Sequence, residues 1–135
     1  MALYAQNVEI FCAPTAYEAD VWHVTMQHIA MEGSCIVVGV CPCVRIDDVP
    51  EDLPGRDKMA EWGEWASSGN ASIVAPGGRV LAGPAQKTQK LVHAEVDLSA
   101  IAERRRLFDV AGHYARPDVF TLNVDRTHQE PVRFS

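Results

Sequence analysis

An α/β layered sheet is the fold class this sequence predicts. Three observations predict it: a strand, helix and second strand in succession near the start, a hairpin signature around Pro76-Gly77-Gly78, and an ordinary globular composition. The chain has 135 residues, of which 47% are hydrophobic and 22% charged. That length suits a single domain, and the composition excludes disordered, collagen-like and fibrous classes. Twelve Lys and Arg against 18 Asp and Glu leave a formal charge of −6. Neither nucleic acid nor an anionic membrane is expected as a partner, because that sign gives no general attraction to either. No apolar run is long enough for a membrane span, and the N-terminus has no basic segment leading into an apolar one. A cytoplasmic location is the expectation.

Met1 to Asn7 reads as the last turns of a helix, so the chain opens inside an element, with Asn7 where helices often stop. Val8 to Ala13 is apolar and partly β-branched and predicts a buried strand ended by Pro14. Thr15-Ala16-Tyr17-Glu18 fits the S/T-x-x-E capping box, whose hydroxyl and carboxylate satisfy orphan N–H groups at a helix start. In the helix that follows, Trp22, Met26, Ile29 and Ala30 form one apolar stripe, and Gly33 supplies a residue that tolerates a left-handed stop. Cys35 to Cys41 is a continuous apolar run, predicting a strand covered on both faces and parallel to the first.

Val44 to Ser68 turns polar and acidic, which predicts a surface excursion with a helical turn around Asp57 to Trp65. Trp62 and Trp65 are expected to pack against the body, since large aromatics usually find burial. Ser72 to Gly83 predicts the hairpin, and Leu91 to Val96 alternates apolar and polar residues as one more strand. Asp97 then caps a short helix from Leu98 to about Arg106, whose three arginines complement the negative pole of the helix dipole. The remaining residues form an extended tail that is too apolar at Val119, Phe120 and Leu122 to be wholly disordered.

Few residues in this pattern carry chemistry. Cys12, Cys35, Cys41 and Cys43 sit mostly in apolar runs and are expected as buried, reduced thiols. Cys41-Pro42-Cys43 lacks the second ligand pair of a metal site and the spacing of a redox motif. His23 and His28 are five apart and do not share the helix face that an i, i+4 zinc pair needs. No metal site is expected. Ligands of such sheets sit beyond the carboxyl ends of parallel strands, here Pro14-Thr15-Ala16-Tyr17 and Pro42-Cys43-Val44. Neither end carries a phosphate loop or an activated nucleophile, so these residues amount to half of a pocket without its reactive group.

Five stretches nevertheless resemble a known family in order along the chain. They are Ala5 to Ile10 running into Ala13-Pro14-Thr15; Trp22 through Met26 to Gly33; Gly69 to Pro84; Ala94 to Leu98; and Asp109-Val110-Ala111-Gly112-His113-Tyr114-Ala115-Arg116-Pro117-Asp118-Val119-Phe120. Together they are similar to the C-terminal part of nitrilases, in the carbon-nitrogen hydrolase superfamily. The last stretch resembles the nitrilase branch in particular.

The resemblance implies the C-terminal part of an α-β-β-α four-layer sandwich, with residues 1–107 in the hydrolase domain and 108–135 as a tail involved in assembly. In the complete family enzyme a cysteine thiolate attacks the nitrile carbon, a glutamate acts as general base and acid, and a lysine stabilises the charged intermediate. The products are a carboxylic acid and ammonia, and no cofactor is implied. All three catalytic residues lie upstream of the part that resembles this chain, so no catalytic residue is assigned here and the chain is expected to be inactive alone. If residual chemistry appeared, Cys43 would be the first thiol to examine. Pro14, Thr15, Ala16 and Tyr17 are candidates for a wall of the substrate pocket, although the capping box explains Thr15 without any substrate. His113 is the remaining candidate, either near the active site or hydrogen-bonded to fix the tail.

Two functions compete. The chain is either the C-terminal part of a nitrilase, working as a homo-oligomer or with an N-terminal nitrilase half, or a non-catalytic module that assembles with full-length nitrilases. A redox or metal protein built on Cys41-Pro42-Cys43 is a distant third. A partial sandwich should also leave a broad apolar sheet face uncovered.

Overall fold

The computed structural model describes residues 1–17, 19–127 and 132. A single 3-10 turn, Tyr4–Gln6, opens the chain and stops at Asn7, which adopts the left-handed conformation at φ 58°. Strand β1 is Ile10–Pro14, helix α1 is Asp20–Glu32 and strand β2 is Ile36–Val40. β1 and β2 pair in parallel, as expected, with Ile10 opposite Ile36 and Pro14 opposite Val40.

Strand β3, Cys43–Arg45, is followed by a 3-10 turn over Ile46–Asp48 and a short helix α2, Arg56–Ala60. Strands β4, Trp65–Val74, and β5, Val80–Gln86, form the predicted hairpin, and α3 is Ser99–Leu107. The sheet order is β1-β2-β4-β3, with β5 also paired to β4. Every pairing except β1 with β2 is antiparallel.

The core lies between α1 and one face of this sheet. Ala13, Met26, Ala30, Cys35, Val37 and Val74 form the buried cluster, with Phe11, Trp22 and Ile29 against it. Side chains alternate along a strand, so Phe11, Ala13, Val37 and Val74 share the helix face. Ile10, Cys12, Pro14, Val38 and Val40 point the other way, and of these Ile10 is 50% and Val40 48% exposed. One face of the sheet is packed and much of the other is open.

Several sequence expectations need correction. Thr15 does not cap α1: the helix starts at Asp20, its N-cap is Ala19, and the Thr15 hydroxyl accepts from the Tyr17 N–H at 2.9 Å instead. The capping-box partner, Glu18, lies outside the described residues. Gly33 is right-handed at φ −77°, and Ser34 takes the left-handed turn at φ 46°. Gly33 is needed for a different reason, because a Cβ there would come within 2.6 Å of the Tyr4 ring.

The excursion over Val44 to Ser68 contains β3 and the first part of β4, whose polar residues Ser67 and Ser68 are drafted into the sheet by pairing with Val44 and Cys43. Leu91 to Val96 is extended but belongs to no strand. Its alternation survives as half-buried Val92 and Ala94 between exposed neighbours, yet a strand also needs a ladder partner, and this segment has none. Trp62 remains 71% exposed because it sits on the turn between α2 and β4. Trp65 is half-buried, with the Arg45 guanidinium 5.4 Å from its ring centre. Cys12 is exposed rather than buried, since it lies on the open face.

The C-terminal part is tied down by polar contacts. Asp97 accepts from the Ser99 N–H at 2.8 Å at the start of α3. The Ser99 hydroxyl first, and then this N–H, hold the Asp97 carboxyl below the usual carboxylate range. From the last turn of α3, Arg105 donates to the Val8 carbonyl at 2.9 Å. The Ser34 hydroxyl donates to the Phe108 carbonyl at 2.8 Å. No helix among the described residues is long and apolar enough to cross a membrane.

Candidate functional site

The loop after β1 is held by the backbone itself. The Thr15 N–H donates to the Val40 carbonyl at 2.9 Å, which extends the parallel ladder by one residue and fixes where Ala16 and Tyr17 leave the sheet. Tyr17 then meets Trp22 of α1 edge to face, with ring centres 6.3 Å apart. Asn70 of β4 donates to the Ala19 carbonyl at 3.2 Å and anchors the far side of the loop.

Ala16 and Tyr17 line an open hollow of about 550 Å³ together with Asp20, Ser68, Gln86 and Lys87. Gln86 closes one side by donating to the Asp20 carboxylate at 2.9 Å. Pro14 and Thr15 shape the loop without lining this hollow. Asp20, Ser68, Gln86 and Lys87 are the residues that sequence reasoning missed. They come from the start of α1, from β4 and from the end of β5, and no motif joins them.

His113 lies elsewhere. It is exposed in the tail, its ring centre 4.8 Å from that of Tyr114, which in turn lies 5.0 Å from Phe108. Among the described residues His113 makes no hydrogen bond, and the turn of the tail is held by Asp109. The Asp109 carboxylate accepts from the N–H groups of Ala111 at 3.1 Å and Gly112 at 2.9 Å. A larger hollow of about 650 Å³ separates this tail from the opening turn, with Met1, Ala5, Tyr114, Pro117 and Phe120 in its wall.

The thiols and the Ser72/His23 pair offer little nucleophilic chemistry. Burial pushes the Cys35 thiol up against the opposing Arg105 charge, which disfavours the reactive thiolate. Cys43 is half-buried with its sulfur 3.5 Å from the Ser68 carbonyl. His23 Nδ1 lies 3.2 Å from the Ser72 hydroxyl, a distance that suits a nucleophile and its base. Ser72 is only 1% exposed, however, so the pair braces α1 against β4 rather than meeting a substrate. No group of three His, Cys, Asp or Glu side chains suited to a metal occurs among the described residues.

The parallel β1-α1-β2 unit and the antiparallel strands beside it place the chain within a known class. Residues 1–106 match the carbon-nitrogen hydrolase family, and the chain belongs to that family. Within it, the chain is similar to nitrilases. It is 41% identical to nitrilase 3 of Arabidopsis thaliana over 98% of this chain and 40% of that protein. It is likewise 41% identical to an aliphatic nitrilase of Sinorhizobium fredii strain HH103, over 97% of this chain and 42% of that one. The chain therefore spans about two fifths of the length of these curated relatives. The crystal structure of the Caenorhabditis elegans NitFhit protein shares the fold, with a TM-score of 0.62 at 23% identity, over 96% of this chain and 29% of that one. The observed mixed α/β sheet is thus consistent with the expected partial nitrilase-like fold.

Proposed function

We propose that this chain supplies the C-terminal part of a nitrilase-type hydrolase, converting a nitrile and water to a carboxylic acid and ammonia, and that it is inactive by itself. The observation that carries this reading is the open apolar face of the sheet, at Ile10, Cys12 and Val40, on a chain spanning 40% of nitrilase 3. An exposed face of that kind calls for a second sheet packed against it. In the assembled enzyme that sheet, from an N-terminal nitrilase half, brings the catalytic cysteine, glutamate and lysine. Pro14, Thr15, Ala16 and Tyr17 then contribute a wall of the nitrile pocket, and His113 belongs to the tail that contacts neighbouring subunits. Four free cysteines and a charge of −6 support a cytoplasmic setting.

The test is ammonia release from aliphatic and aromatic nitriles. The purified chain should give none above blank, and mixing it with a separately produced N-terminal nitrilase half should restore turnover. Turnover by the chain alone would overturn the reading. A second reading, a non-catalytic module that assembles with intact nitrilases, is favoured by the exposed apolar tail residues Val119, Phe120 and Leu122. Binding to intact enzyme without restored turnover in the mixing experiment would select it.

A further inference from the structure

A hollow of about 470 Å³ at the α2–β4 turn borders the β1-loop hollow, with which it shares Ser68 and Lys87, and holds no residue to which the hydrolase reading gives a role. Trp62, Glu64, Trp65, Ser68 and Lys87 line it. Its volume is within the range of small-molecule sites. Two indoles, one of them 71% exposed, give it flat apolar walls.

Its charges are unequal. Glu64 is engaged by Arg45 at 2.9 Å, and the same guanidinium stacks on Trp65, which fixes that ring. Lys87, by contrast, has no ion-pair partner among the described residues. Its backbone is held in the left-handed region at φ 48° while its N–H donates to the Ser68 carbonyl at 2.7 Å. The hollow thus combines aromatic walls with one uncompensated cation.

We propose that this hollow binds an aromatic monocarboxylate, its ring against Trp62 and Trp65 and its carboxylate on the Lys87 ammonium. A single negative charge is specified, because one lysine neutralises only one charge and a polyanion such as a nucleotide phosphate would leave the rest unmatched. An aromatic ring is specified because a flat ring stacks on both indoles. The site needs no turnover, so it stands apart from the hydrolase reading while accepting the chemical class that such a reaction releases from aromatic nitriles.

Saturation-transfer NMR with phenylacetate on the full chain tests this in any association state. Saturable transfer to the ring protons is expected, with affinity roughly fivefold weaker for Trp62→Ala and for Lys87→Met. Both side chains are exposed, Trp62 on the α2–β4 turn and Lys87 just after β5, and circular dichroism of each variant confirms an unchanged fold. The neutral isostere phenylacetamide should bind wild-type protein about as weakly as phenylacetate binds Lys87→Met. Absence of saturable transfer, or transfer that neither substitution weakens, overturns the proposal. Reduced self-association of Trp62→Ala with no phenylacetate signal also overturns it, and assigns the exposed tryptophan to a protein contact.

Discussion

The two faces of the sheet are built from the same strands and from similar residues, yet they have different fates. On the helix face, Phe11, Ala13, Val37 and Val74 meet α1 and are buried or nearly so. One residue along each strand, Ile10, Cys12 and Val40 are exposed. Because side chains alternate with period two, a strand that is apolar at every position encodes a partner on both sides. Continuous apolar runs such as Ile36-Val37-Val38-Gly39-Val40 are therefore informative about both faces of the sheet. α1 answers one face, and in the proposed assembly a second sheet answers the other.

The sharpest way to test the contrast is to weaken the packed face. Met26 is 1% exposed at the centre of the cluster, and a Cβ on Gly39 would lie 3.2 Å from its Cγ, so the methionine lies directly on the sheet. Met26→Ala removes that contact and leaves a cavity. A loss of about 2–5 kcal/mol is expected in urea unfolding. A loss below about 1 kcal/mol would mean that α1 is not the main cover of this face.

A smaller effect concerns how the opening turn is tied to α1. Tyr4 donates from its hydroxyl to the Glu32 carboxylate at 3.2 Å, and its ring rests on Gly33. Burial first, and then the neighbouring Glu32 carboxylate, push the Tyr4 pKa from 10 up to about 12. The native state thus keeps the proton over a range in which the unfolded chain has lost it. The stabilisation is fully present below pH 10 and is lost as the pH rises through about 12. Tyr4→Phe should flatten this alkaline slope and change neutral-pH stability by about 0.5–1.5 kcal/mol. Tyrosinate absorbance should show a late-titrating Tyr4 phase in wild-type protein that is absent from the variant.

Much of the packed side was legible in the sequence. The apolar runs marked β1 and β2, the i, i+4, i+7 spacing marked the buried stripe of α1, and Pro76-Gly77-Gly78 marked the hairpin. β3 and the first half of β4 were not, because Ser67, Ser68 and Asn70 have weak strand preferences and become a strand only through pairing with β3 and β5. Leu91 to Val96 failed the other way: its alternation is real, but a periodicity reports which sides of a chain differ, not whether a neighbouring strand is present. At the candidate site the carboxyl-end rule located Ala16 and Tyr17. Gln86 and Lys87 are brought to them only by the register of β4 against β5, which no local pattern encodes, whereas Asp20 follows Tyr17 by three residues at the start of α1. Thr15 and Glu18 had the right spacing for a capping box, but the helix begins at Asp20.

The open face should respond in the opposite sense to the packed one. Ile10 is on β1, an edge of the sheet, and Val40 ends the neighbouring β2, with both side chains on the uncovered side. Neither Ile10→Lys nor Val40→Lys removes a buried contact comparable to that of Met26, so each should change the unfolding free energy of the isolated chain by no more than about 0.5 kcal/mol. A lysine on an edge strand and on an apolar patch also opposes sheet-to-sheet association. Sedimentation velocity should therefore show the wild-type chain self-associating and both variants shifted towards monomer, while mixing with an N-terminal nitrilase half restores less turnover. A destabilisation as large as that of Met26→Ala would break the comparison, since it would place these residues in a core that the isolated chain already completes. Unchanged association in both variants would instead move the assembly surface away from this face and towards the apolar tail around Phe120.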